Sequence, residues 1–508
     1  MNMKTVIEPF RTKMVEHIRF TTKGERREIL SEAGYNLFKI KARDVIVDLL
    51  TDSGTSAMSS DQWAALMRAD ESYAGAESFF RLERTAQRIF GFSEIIPVHQ
   101  GRAAERILFQ CLVKPGDIIP SNNHFDTTRG NIENLGACAL DLPVVQSKDF
   151  SSNYPFKGNI DTDAVRALLA GDKRKSIPFG MITISNNSNG GQPVSLANIR
   201  EYSRLLKQYK IPLYIDAARF AENAWLIKLR EDERASRSIN SIVKEIFSLA
   251  DGLLFSAKKD GLTNTGGLLA LNDQTLAVQL RELLILTEGF PTYGGLSGRD
   301  LETIAIGLQE VLFEDYLRYR QQSAEYLASE LDARKIPIVK PAGIHAIYID
   351  AKTMLEHIPP SQYPGQVLAC ELYLEAGIRA CEIGSVMFAQ IDPETGRELP
   401  APAELVRLAL PRRVYSKSHL DYVVEAVTNV FERRHQLSGL TISSQGTRLR
   451  HFSCCLQPVG AVHSSVRTNS ASLISACKNL SNAWEIASEA QRIPQDKFLI
   501  QGAVDFEI

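Results

Sequence analysis

Two short runs carry residues whose types could do chemistry together. Leu253-Leu-Phe-Ser-Ala-Lys-Lys-Asp260 ends an apolar stretch in Ser256 and the pair Lys258 and Lys259, and Leu213-Tyr-Ile-Asp-Ala-Ala-Arg219 ends another in Asp216 and Arg219. Pyridoxal phosphate asks a protein for a lysine amine to attach to, an anion to keep its pyridine nitrogen protonated, and donors for its phosphate and phenolic oxygen. Those groups are all present. Gln100-Gly-Arg-Ala103 adds a helix start, where free N–H groups and the positive dipole end attract a phosphate, with Arg102 for charge-assisted bonds. Each feature is ordinary alone. Glycine is common at helix starts, a strand-end aspartate is as often a helix cap or a surface ion pair, and most Lys-Lys pairs are solvated. A neighbouring positive charge would depress one amine's pKa and make it a usable nucleophile and base, but residue chemistry leaves open which lysine that is.

The elements that must position these residues alternate between strand-like and helix-like patterns, which predicts an α/β fold with a mainly parallel sheet under helices. Strands are expected at Glu94–Val98, Ile177–Ile184, Ile211–Ile215 and Gly252–Phe255. Helices are expected over Ala103–Leu112, after the cap Ser195, and through Ile239, Ile242, Val243, Ile246 and Phe247. Ligands of open α/β sheets bind beyond the carboxyl ends of the strands. The runs His99–Arg102, Ser185–Ser188, Asp216–Arg219 and Ser256–Lys259 all sit there, so four separated segments converge on one crevice. Further on, a helical pattern runs from Leu301 towards Leu331, followed by strand-like Ile336–Val339, His345–Ile349 and Leu405–Leu410, a helix around Val367–Glu375, and an amphipathic helix opened by Ser418 with Asp421 as its capping-box partner. That mixture predicts a smaller α+β domain.

The chain has 508 residues, 44% of them hydrophobic, with 58 Lys and Arg against 60 Asp and Glu. A net charge of -2 gives no reason to expect nucleic acid or a membrane surface as partner. Seven scattered cysteines without a Cys-x-x-Cys motif read as reduced thiols, and there is no signal-like h-region or uncharged run of membrane-spanning length. A soluble cytoplasmic protein is expected. No His-Glu-x-x-His pair or Cys/His cluster indicates a transition metal, although an alkali cation held by carbonyls would leave no such trace.

Longer motifs carry a resemblance. Ile46–Thr55, Asp70-Glu-Ser-Tyr-Ala-Gly75, His99–Arg102, Gly190–Ser195, Ser256–Asp260, Pro291-Thr-Tyr-Gly-Gly295 and Pro411-Arg-Arg-Val-Tyr415 are similar to stretches of the β-eliminating lyase family that comprises tryptophanases and tyrosine phenol-lyases, from about Glu8 to Phe452. The resemblance implies the aspartate aminotransferase-like fold type I of pyridoxal phosphate enzymes. It implies an arm and part of the small domain at 1–57, a large cofactor domain at 58–310, a small α+β domain at 311–456, and a tail at 457–508 that lacks the resemblance and is a candidate for disorder. It also implies that Lys259 holds the cofactor, with Gln100, Gly101, Arg102, Ser256 and Lys258 at the phosphate, Phe125 stacked on the ring, Asp216 at the pyridine nitrogen and Arg219 near the phenolic oxygen. Asn187 and Arg412, with Thr51 beside them, match the clamp on the substrate carboxylate. Tyr73 matches a catalytic tyrosine that reaches across a dimer interface, and Tyr293 a second active-site tyrosine. Glu71 and the carbonyls of Gly54 and Asn264 match a potassium site.

Three positions separate the two activities of the family. Where tyrosine phenol-lyases carry a threonine, an arginine and a Phe-Phe pair, this chain has Asp126, Ile383 and His451-Phe452. The implied reaction is β-elimination of L-tryptophan to indole, pyruvate and ammonium, with tyrosine or another β-substituted amino acid as the alternative substrate and a catalytically silent binding protein as a remote one. The amine of Lys259 would remove the α-proton, and Tyr73, with Asp126 and His451, would manage the proton that makes indole a leaving group. Apart from the resemblance, His451 beside Arg448 and Arg450 reads as a surface histidine. A homotetramer of dimers with shared active sites is implied. Ala103 and Asn189 depart from the family's glycine and alanine, and either could tighten the site.

Overall fold

In the main sheet, strand β1 (Glu94–Val98) is apolar through Ile95, Ile96 and Val98, and its last residues hand the chain to helix α1 (Gly101–Leu112). The computed structural model describes residues 7–392, 394–446 and 449–460. The same hand-over recurs with β2 (Gly180–Thr183), α2 (Leu196–Lys207), β3 (Leu213–Asp216), α3 (Phe220–Arg230), α4 (Ile239–Ser248) and β4 (Gly252–Ser256). Ser195 caps α2 as its sequence demands, accepting from the Asn198 amide. A fifth strand, β5 (Gly267–Leu271), had no counterpart in the sequence reading and completes a sheet in the order β1-β5-β4-β3-β2.

β1, β2, β3 and β4 all run in one direction, and β5 alone opposes them, antiparallel to both β4 and β1, so the sheet is mainly parallel with one reversed strand. The register of β3 puts Asp216 opposite Thr183 of β2 and Leu254 of β4. Both faces are dry. Leu253, Phe255 and Ile215 pack with Phe220, Trp225, Ile246 and Phe247 on one side, and Leu254, Tyr214 and Met181 pack with Ile107, Leu108 and Phe109 on the other.

The long helical pattern after Leu301 is two helices, α5 (Gly298–Glu310) and α6 (Glu314–Ala333), interrupted at Val311–Phe313. Tyr316 and Leu317 of α6 join the core of the main sheet, whereas Leu327 and Leu331 join a second core with Leu30, Leu37, Val47 and Leu49. That second core lies against a three-stranded antiparallel sheet of β6 (Ala346–Asp350), β7 (Cys381–Ile383) and β8 (Leu405–Ala409), in the order β7-β8-β6, with helix α7 (Pro364–Ala376) before β7 and the single turn α8 (Ser385–Phe388) after it. Ile336–Val339 forms only an isolated bridge, Ile338 to Ile349.

Helix α9 (Lys417–Glu432) is capped by Ser416, two residues before the expected cap: His419 Nδ1 accepts from the Ser416 amide, and Asp421 pairs with Lys417 at 3.0 Å instead. The described residues to Val459 form one compact unit. Of the tail 457–508, the residues from 461 onward lie outside the described ones. Among the described residues no helix is long and apolar enough to cross a membrane.

Candidate active site

The carboxyl ends of β3 and β4 and the start of α1 open onto one cavity of about 280 Å³. Lys259, Lys258, Ser256, Asp216, Arg219, Gln100, Gly101, Arg102, Phe125, Asp126, Asn187, Thr51, Ile383 and His451 all line it. Lys259 Nζ donates to Ser256 Oγ at 3.0 Å, and Lys258 Nζ to Gln100 Oε1 at 3.3 Å. A side chain at Gly101 would bring its β-carbon within 2.8 Å of Ser256 Cβ, so only glycine lets the helix start approach the serine so closely. Ser256, Gln100, Arg102 and the Gly101 amide form a cradle suited to a phosphate.

The electrostatics fit the rest of that cofactor. Burial and then Arg219 lower the Lys259 amine to about 8, against the opposing pull of Asp52 and Asp216; the neighbouring Lys258 is the lesser cause, not the leading one that the paired sequence suggests. Asp216 is raised by burial and held towards the anion by Lys259, the Ala218 amide and Arg219. A desolvated carboxylate so placed gains from a cationic partner such as a protonated pyridine nitrogen. Arg219 is fixed bidentately by buried Asp52, through Nε at 2.9 Å and Nη2 at 2.7 Å.

Arg412 requires a correction. It does not line the cavity; it is 0% exposed and its guanidinium is taken up by Asp52 at 2.9 Å, Glu222 at 3.0 Å and Asp260 at 2.9 Å. Burial alone would weaken its charge, but those carboxylates hold it well above the ordinary arginine value. The guanidinium that faces the cavity beside Asn187 is Arg407, from the middle of β8, which donates to Asn187 Oδ1 at 3.2 Å and to the Leu50 carbonyl at 2.9 Å. Tyr348 also donates to Asn187 Oδ1 at 2.9 Å, and His345 Nε2 lies 3.0 Å from it. With its oxygen so occupied, Asn187 keeps its Nδ2, which meets no acceptor among the described residues, as a donor for the cavity.

The far half of the cavity is apolar, built from Phe38, Ile383, Met387, Phe388 and Phe452. His451 is buried here, not on the surface, its ring 3.9 Å from that of Phe452 and 5.9 Å from that of Phe38. Its Nε2 lies 3.5 Å from Asp126 Oδ2, and neither ring nitrogen has a hydrogen-bond partner among the described residues. An indole N–H or an incoming proton would find unsatisfied partners there.

Besides Arg412, the two expected tyrosines and the three expected cation-site residues are not part of the lining of this cavity. Tyr73 is 72% exposed, its ring against Phe290 at 5.4 Å and Tyr293 at 5.7 Å, and both tyrosines line a separate shallow depression with Glu71. Gly54 and Asn264 do meet, Asn264 Nδ2 donating to the Gly54 carbonyl at 3.0 Å, but Glu71 accepts from the Gly298 amide at 2.9 Å and pairs with Arg299. The two family departures are accommodated: Ala103 is buried in the core, and Asn189 donates to the Lys157 carbonyl at 2.9 Å. Sequence reasoning missed Arg407, Asp52, His345 and Phe38. For Arg407 alone there was a signal, a lone charge inside the apolar run Leu405-Val-Arg-Leu-Ala409.

A mixed α/β sheet whose strand ends present a desolvated lysine, a facing carboxylate and a phosphate cradle defines a pyridoxal phosphate enzyme. Residues 48–426 match the model of the β-eliminating lyases, and the chain belongs to that family. It is 57% identical over 455 residues to the tryptophanase of Hyphomonas neptunium, covering 90% of this chain and 100% of that one. It is 44% identical to the tyrosine phenol-lyase of Intrasporangium calvum, over 90% of this chain and 97% of that one. Threonine aldolase of Leishmania major has the same fold, with a TM-score of 0.54 at 14% identity, covering 76% of this chain and 99% of that one.

Proposed function

We propose that this enzyme cleaves L-tryptophan to indole, pyruvate and ammonium. The observation that carries the reading is the apolar half of the cavity: Ile383 offers a flat aromatic ring hydrophobic surface and no donor for a phenolate, and buried His451 faces Asp126 beside it. The higher identity to a tryptophanase than to a tyrosine phenol-lyase supports the same choice. Pyridoxal phosphate supplies the electron sink that makes an α-proton of the amino acid acidic. Arg407 and the Asn187 amide bind the substrate carboxylate, with Thr51 at the same wall, and so present the α-carbon to Lys259. The Lys259 amine, already depressed towards neutrality by its surroundings, takes the α-proton. Asp126 and His451 receive the indole N–H and organise proton delivery to the ring. Asp216 would hold the pyridine nitrogen of the cofactor in its protonated form, and Phe125 would supply the apolar surface against its ring.

Tyr73 and Glu71 reach a catalytic centre only if a second copy places them there, so the reading includes a homodimer with shared sites, paired into a tetramer. Glu71 would then join the carbonyls of Gly54 and Asn264 around a potassium ion. Reduced cysteines support a cytoplasmic location: all six described ones are free.

An assay of indole and pyruvate from tryptophan, with potassium and with sodium, tests the reading. Equal amounts of both products, enhanced by potassium, are expected; turnover of tyrosine in preference to tryptophan would refute it. Ile383→Arg buries a cation in the ring site and is expected to lower kcat/KM on tryptophan by roughly 30-fold or more, since an unpaired buried charge costs 2 kcal/mol or above.

A further inference from the structure

The wall of the cavity that faces the substrate ring is one short stretch: Ile383 ends β7, and Met387 and Phe388 come from α8. A single helical turn has little stability of its own, so its position is set by what grips it from behind. Glu382 accepts from the Val386 amide at 3.0 Å, and Glu404, the residue before β8, accepts from the Ser385 amide at 3.1 Å and from the Ser385 hydroxyl. On the carbonyl side, Arg450 donates to Val386 O at 2.9 Å and to Ser385 O at 2.5 Å, and the next residue is His451. Wall and histidine are thus held by one clamp.

The two carboxyls are 4% and 1% exposed, and the Oε2 of each has no hydrogen-bond partner among the described residues. Both close on the α-carbon of Gly384: a β-carbon there would lie 2.7 Å from Glu382 Oε1 and closer still to Glu404 Oε2. The cations nearby are otherwise occupied or peripheral. Arg450, whose field opposes the rise of Glu382 as the least of its causes, gives Nη1 to Glu398 at 2.6 Å, and Lys352 reaches Glu404 only through its field. The other titratable neighbours, Cys381 and Cys454, are thiols pushed up to about 11 by burial and carry no charge at neutral pH. Two like charges so buried cannot both ionise cheaply, so one of the two carboxyls keeps its proton. Burial first, then Glu404, pushes Glu382 up to about 8, and burial raises Glu404 as well.

We propose that Glu382 and Glu404 are positioning residues for the substrate ring: with one proton between them they hold the Gly384–Phe388 turn closed beside Ile383, and loss of that proton lets the turn move away. The proposal rests on the reading that the apolar half of the cavity takes the indole. A carboxyl raised in the fold is protonated below its folded value and loses its proton as pH rises through it, so the wall is set at pH 7 and released by pH 9.

L-Alanine is tryptophan without its indole and makes the same backbone contacts. Dissociation constants of both amino acids for the holoenzyme, read from the absorbance of the bound cofactor immediately after mixing, give a ratio in which titrations of the ligand amine, Lys259 and the cofactor cancel. From pH 7 to pH 9 the advantage of tryptophan over alanine is expected to shrink by roughly three- to tenfold. In Glu382→Gln, and independently in Glu404→Gln, the ratio is expected to stay flat. A constant ratio in the wild type overturns the proposal without any variant, and so does the same shrinkage in a folded Glu382→Gln. Tryptophan binding no tighter than alanine at pH 7 would instead refute the substrate reading, and the clamp is then tested by the same ratio with L-tyrosine.

Discussion

Lys259→Ala is expected to abolish turnover, lowering kcat by about four orders of magnitude or more, because in the proposed mechanism one side chain supplies both the attachment of the cofactor and the base that removes the α-proton. Lys258→Ala keeps that amine. It removes a donor to Gln100 at the phosphate cradle and a minor contribution to the depression of Lys259, so weaker cofactor binding and a kcat within about tenfold of wild type are expected. Single-turnover measurements on cofactor-saturated variants separate the two. Equal losses in both would mean that the lysine pair acts as a unit and that the assignment to Lys259 alone is wrong.

Arg407→Ala carries the second large effect. Removing one partner of a buried, hydrogen-bonded charge pair costs about 2–5 kcal/mol, so kcat/KM on tryptophan is expected to fall by roughly 30-fold or more, with the loss mainly in KM. Arg412→Ala should behave differently. It strands Asp52, Glu222 and Asp260 without their common cation, so about 3–5 kcal/mol of stability is expected to go, seen as a lowered melting temperature. An Arg412 variant that melts normally but binds substrate poorly would restore the clamp to Arg412.

That contrast shows where the sequence was readable. The strand ends, the cap at Ser195 and the cluster of the Lys258-Lys259 pair, Asp216 and Gly101 follow from local pattern, since each needs only its own neighbours in the chain, whereas the choice of Lys259 within the pair came from the family resemblance. Choosing between Arg407 and Arg412 needs the facing of β8. Val406 and Leu408 enter one core, whereas Leu405 and Ala409 enter the other with Ile383, and period-two alternation sends Arg407 with them towards the cavity. Arg412 lies past the strand end, where alternation no longer applies and only the meeting of Asp52, Glu222 and Asp260 decides its environment. His451 was illegible for a similar reason: its burial depends on Phe38, more than four hundred residues earlier, and flanking arginines suggest solvent. Strand β5 was missed because its Leu-rich run follows directly on the loop after the lysines, and nothing local marks it as returning antiparallel beside β4.

The central claim is that one amine, Nζ of Lys259, carries the cofactor between the phosphate cradle and Asp216. Borohydride reduction of the holoenzyme fixes the cofactor to whichever amine holds it, and peptide mapping by mass spectrometry locates the added mass. Label on Lys259, within the peptide that spans Ser256–Asp260, is the predicted result; label on Lys258 or elsewhere, or a protein that takes up no label, would contradict the account.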